Sequence, residues 1–104
     1  TRDALKLPFK IINMKKHTKI YCDFFDIEYD PISGWHNCKS EISSKPADDI
    51  HHINSRGMGG SKDKDNIENL MALTREEHEK YGDKKQYREW LQQIHDAYIF
   101  NKLK

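Results

Sequence analysis

Four segments decide how this chain is read. They are Asp49-Ile50-His51-His52-Ile53, Arg56-Gly57-Met58-Gly59-Gly60, Ile67-Glu68-Asn69-Leu70-Met71-Ala72-Leu73 and Thr74-Arg75-Glu76-Glu77-His78. Residues 48–54 set Ile50 and Ile53 around two histidines, a short strand-like run. Glycines at 57, 59 and 60 would break either regular element, so residues 55–65 read as a loop. Leu70, Met71 and Leu73 lead into Thr74, and Thr74 with Glu77 is a capping-box pair that predicts a helix start. Gly82 ends or interrupts that helix. Asp83 is placed to cap a second helix, read over residues 83–99. Its Tyr87, Trp90, Leu91, Ile94 and Tyr98 recur at helical spacing and predict one packing face.

Upstream, residues 19–29 mix aromatics with Asp and Glu, and Pro31, Ser33 and Gly34 mark a turn. Residues 1–17 carry Lys6, Lys10, Lys15 and Lys16 around Leu7, Phe9, Ile11 and Ile12, with Pro8 limiting any helix. Residues 1–18 therefore read as a basic N-terminal arm and residues 19–104 as one domain. The chain begins at Thr1 rather than Met, so its true start is open and a fragment or processed chain is allowed.

At 104 residues, with 36% hydrophobic and 34% charged residues, the chain has one modest core and a heavily solvated surface. Five Tyr, four Phe and two Trp argue against disorder. A formal charge of +1 does not suggest a protein that coats nucleic acid, although a local basic face remains open. Cys22 and Cys38 alone make no disulfide framework, and no segment resembles a secretion signal. No apolar run approaches the roughly 20 residues that span a bilayer. A soluble, cytoplasmic protein with no membrane partner is expected.

Six histidines are the chemical signal. His17, His36 and His95 are scattered, and each reads as a surface or half-buried residue. The adjacent His51 and His52 differ. Neighbouring side chains on a strand point to opposite faces, but a twisted or ending strand can splay two imidazoles around one site. One then binds a metal and the other stays free as a base. His78, on a predicted helix, is a rigidly held further donor. Phosphodiester hydrolysis needs these groups. Water needs a base with a near-neutral pKa, and a divalent ion stabilises the charge on phosphate and leaving oxygen.

Together these segments resemble the HNH endonuclease motif, in the variety found in small phage and bacterial proteins, over about residues 36–82. The resemblance implies an α+β fold with a ββα-metal (His-Me finger) core, to which the C-terminal packing helix is added. By position, His52 matches the general base and Asn69 the middle residue that fixes the loop and orients the base. His51 and His78 match the metal ligands. The implied host is a bacterial or phage-infected cell.

Two departures bear on the metals. Many members hold a structural zinc on two Cys-x-x-Cys pairs, but here the pairs read Cys38-Lys39-Ser40-Glu41 and Thr74-Arg75-Glu76-Glu77. With only one thiolate position kept, no structural zinc is expected. Some members add a His one helical turn after the last motif His. Gly82 stands there, with Asp83 beside it as a donor, directly or through water. One weakly held divalent ion is expected, Mg²⁺, Mn²⁺ or Ni²⁺, with Zn²⁺ possible.

Arg56, Lys62, Lys64 and Arg75 are the residues expected to contact phosphates. No base-reading device is visible, so weak sequence preference is expected. The resemblance implies a nucleic-acid substrate, with double-stranded DNA expected and RNA left open. Two other readings stay open. One is an inactive HNH scaffold that binds nucleic acid or a phage packaging partner. The other is a metal-binding module unrelated to nucleases.

Overall fold

Strand β1, Asp49–His52, pairs antiparallel with β2, Leu70–Leu73, with His51 opposite Met71 and His52 opposite Leu70. The pairing continues one step further, where Ile53 N–H donates to the Asn69 carbonyl at 2.9 Å. The computed structural model describes residues 14–54 and 65–104. Arg56, Lys62, Lys64 and the three loop glycines lie outside the described residues.

All four side chains of β2 are buried, because the strand is covered on both faces. A strand sends alternate side chains to opposite sides. Leu70 and Ala72 join Ile50, Cys38 and the Tyr21–Cys22 pair of helix α1, Lys16–Phe24. Met71 and Leu73 join Ile53 and Leu91 of the C-terminal helix. The result is an α+β domain with a two-stranded sheet between helices.

Helix α2 starts where the capping pair predicts. Glu77 N–H donates to Thr74 Oγ1 at 3.1 Å, and Thr74 N–H donates to Glu77 Oε1 at 2.9 Å. The helix covers Arg75–Glu77 and passes into a π-helical turn, His78–Gly82. Helix α3, Arg88–Leu103, follows a 3₁₀ turn at Lys85–Tyr87.

Four expectations need correction. Asp83 caps no helix: α3 begins at Arg88, runs past residue 99, and has no side-chain N-cap bond, while the Asp83 carboxylate lies near His78. Trp90 leaves the packing stripe. It is exposed, in a ring cluster with Tyr81 and Tyr87, and Leu91 and His95 are the buried residues of α3. The boundary drawn at residue 18 falls inside α1. Thr18, Tyr21 and Cys22, at helical spacing, turn that segment onto the sheet.

His95 is neither a surface nor a half-buried residue. It is fully enclosed, with Nδ1 2.9 Å from both oxygens of Glu41 and Nε2 against the Ile67 carbonyl. Both nitrogens face acceptors, so both carry protons and the ring is an imidazolium. Burial alone would lower its pKa, but the Glu41 hydrogen bond and charge, with the Ile67 carbonyl, hold it above the ordinary value. Tyr21 OH donates to Glu41 Oε2 at 2.6 Å and completes the network. Cys38 lies 3.5 Å from Cys22 through sulfur, and Ser40 Oγ donates to Glu77 Oε1 at 2.6 Å. Among the described residues no helix is long and apolar enough to cross a membrane.

Candidate metal centre

The two adjacent histidines part company at the end of β1. His51 shares a face with Met71 and reaches the turn that follows α2, whereas His52 shares a face with Leu70 and reaches α1. Both still line one open cleft of about 690 Å³.

On the first side, His51 is buried and its Nε2 has no hydrogen-bond partner. An unsatisfied buried nitrogen costs roughly 1–3 kcal/mol unless something accepts its lone pair. Burial, and then the neighbouring His78, push the His51 pKa down to about 4. The ring is therefore neutral at physiological pH, the state in which imidazole ligates a metal. Its ring centroid lies 4.6 Å from that of His78. His51, His78 and Asp83 each offer one ligand atom, and these atoms lie within 4.8 Å of one another. Two imidazoles and a carboxylate fit a divalent ion.

The surroundings fit as well. His78 Nδ1 lies 3.0 Å from Asp49 Oδ2, and Arg75 Nε lies 3.5 Å from the same oxygen. A carboxylate behind a ligating histidine fixes its tautomer and orientation. Gly82 is buried against both rings: a Cβ there would collide with the His78 ring and sit 3.3 Å from His51 Cε1. A glycine at this position therefore makes room for the two imidazoles.

On the second side, His52 Nε2 lies 2.7 Å from Asp65 Oδ1, and its ring centroid is 4.5 Å from that of His17. Asn69 is buried and clamps the backbone just past His52. Its Oδ1 accepts from Asn54 N–H at 2.8 Å, and its Nδ2 donates to the Asn54 carbonyl at 3.0 Å.

The structure thus brings His51, His52 and His78 to one cleft, while Asn69 holds the backbone at Asn54 and exposed Arg75 reaches the Asp49 carboxylate that His78 also meets. Three residues to which the sequence reading gave no role in the site also belong here: His17, Asp49 and Asp65. Lys15 and Lys16, read as part of an arm, line the cleft from the start of α1. The helical spacing of Thr18, Tyr21 and Cys22 was the signal for α1. No local pattern marked Asp65. Comparison with known families, curated proteins and solved structures found no match to this chain.

Proposed function

We propose that this chain is a metal-dependent endonuclease of the HNH type, hydrolysing phosphodiester bonds in double-stranded DNA. One observation carries the reading: the buried, unpartnered Nε2 of His51 stands beside His78 and Asp83, in the same cleft as the His52–Asp65 pair. The antiparallel pair β1–β2 followed by α2 supports this reading, because a ββα-metal core has its elements in that order. A divalent ion held by His51, His78 and Asp83 would stabilise negative charge on the phosphate and the departing oxygen. The donor set favours Mn²⁺, Ni²⁺ or Zn²⁺ over Mg²⁺.

The chain's own residues supply the rest. Asp65 accepts the hydrogen bond of His52 Nε2–H, which leaves the ring's lone pair on Nδ1. Nδ1 takes a proton from water as the oxygen attacks phosphorus and the P–O ester bond breaks. Asn69 holds the strand end that carries the base. Lys15 and Lys16 hold phosphate oxygens at the cleft wall, and Arg75 adds charge at its margin. A nearly neutral chain binds a polyanion weakly, which suits delivery by a partner such as a phage packaging enzyme.

Supercoiled plasmid incubated with a panel of divalent ions tests the proposal. Wild type should cut with at least one ion, and His52→Ala should cut about 10²–10⁴-fold more slowly while still binding it. Wild-type cutting by His52→Ala would remove the base assignment. Plasmid binding without cutting in every ion would favour the inactive scaffold.

A further inference from the structure

A second group of donors meets beside the first. His17 comes from the first turn of α1, His52 from the end of β1, and Asp65 from the approach to the 3₁₀ turn at Ile67–Asn69. Their ligand atoms lie within 4.8 Å of one another. His52 and Asp65 are largely buried, their side chains 14% and 7% exposed, so water competes poorly for them. The three donors come from separate parts of the chain and converge on the wall of an open cleft, where an ion can enter and keep a water.

We infer that His17, His52 and Asp65 form a second cation site, selective for transition ions such as Zn²⁺, whose occupation silences His52 as a base. The silencing rests on the nuclease reading above; the cation site does not. Two imidazoles and one carboxylate suit Zn²⁺, Ni²⁺ or Co²⁺, whereas Mg²⁺ prefers oxygen donors and retains its waters. The geometry needs little adjustment. His52 Nε2 and Asp65 Oδ1 are 2.7 Å apart as a hydrogen-bonded pair. Ligands at about 2.1 Å from a tetrahedral ion lie about 3.4 Å apart, so small side-chain rotations suffice.

The silencing follows from the chemistry of imidazole. A neutral ring has one in-plane lone pair, and its other nitrogen carries a proton. With Asp65 accepting the Nε2 proton, the lone pair on Nδ1 is available to water. With an ion on either nitrogen, that lone pair is committed and the remaining nitrogen is a donor. No proton has to leave, because the ring only changes tautomer when Nε2 is the ligand. Asp65 changes from hydrogen-bond acceptor to ligand at the same time. Proton placement and ion binding at His52 are thus mutually exclusive, and free Zn²⁺ acts as a brake.

The test measures ion stoichiometry by mass spectrometry after equilibrium dialysis of the full chain against Zn²⁺, beside Mn²⁺-supported plasmid cleavage in rising Zn²⁺. Wild type should hold two Zn²⁺ per chain, and His17→Ala, Asp65→Asn and His78→Ala one each. Cleavage by wild type should fall as Zn²⁺ rises. His17→Ala, relative to its own Zn²⁺-free rate, should need at least about tenfold more Zn²⁺ for the same loss. A single wild-type ion that His78→Ala removes would overturn the second site and leave the first. A single ion removed only by His17→Ala and Asp65→Asn would uphold the second site and refute the metal centre at His51. Two ions persisting in both His17→Ala and Asp65→Asn would overturn the inference. Two ions lost as expected, with no cleavage in any metal, would keep the cation site and overturn the silencing.

Discussion

His51 and His95 are both buried imidazoles, and they have opposite chemistry. His51 has an unpartnered nitrogen, a histidine neighbour and a pKa pushed down to about 4. His95 has an acceptor at each nitrogen, a carboxylate partner and a pKa held above the ordinary value. Burial is common to both and decides neither. The partners decide: a ring surrounded by acceptors becomes a structural cation, and a ring left facing another imidazole becomes a donor for one. The first kind of site stabilises the fold, and the second leaves a nitrogen without a hydrogen-bond partner.

The contrast should break cleanly under mutation. His51→Ala should reduce metal-supported cleavage to background while leaving the urea midpoint of the metal-free chain little changed, since it deletes an unsatisfied group. A large stability loss with activity retained would reverse the two roles. His95→Ala should do the opposite. It strands the enclosed Glu41 carboxylate, and removing one partner of a buried pair costs about 3–5 kcal/mol. Cleavage per folded molecule should persist. Denaturant unfolding that shifts by less than about 1 kcal/mol would show that the pair is not the buried ion pair described.

The same contrast predicts a stability dome in chelator. His51 is neutral in the fold, whereas the unfolded chain protonates near 6.5, so its contribution is lost as pH falls from 6.5 towards about 4. His95 has a raised folded pKa. Its contribution is complete below the unfolded value near 6.5 and lost as pH rises through the folded one. Glu41, Tyr21 and Asp96 are the titratable groups around it. Melting curves of His95→Gln should flatten the alkaline limb, and those of His51→Ala should flatten part of the acid limb. An alkaline limb unchanged in His95→Gln would assign it to another group.

A smaller effect concerns the carboxylate behind His78. Asp49→Asn should weaken ion binding by about 10–100-fold, as removal of a ligand's orienting partner does. Calorimetric titration showing wild-type affinity would mean that His78 is oriented without it.

Much of the centre was legible in the sequence because its signals are local. The capping pair Thr74–Glu77 starts α2 as read, and His51, His52 and His78 reach one cleft. The rest depends on contacts between distant segments. Glu41 read only as a position without a thiolate, yet it is the partner that makes His95 a buried cation. His17 and Asp65 carried no pattern linking them to His52; α1 and the approach to β2 bring them there. Asp83, next to Gly82, reads both as a helix cap and as a donor beside the metal; it caps no helix, and its carboxylate lies 3.6 Å from His78 Nε2.

The hairpin register has an evolutionary consequence. Because β1 and β2 alternate between two faces, a shift of one residue carries every side chain to the other side. His52 would then occupy the place of His51, and Ile53 would occupy the place of His52. Substitutions around the cleft change one group at a time. A single-codon insertion or deletion between residue 49 and residue 52 changes which histidine meets which neighbours. The His-His dipeptide therefore has a reading frame of its own, and selection on this protein should tolerate length variation in its loops far better than in these four residues.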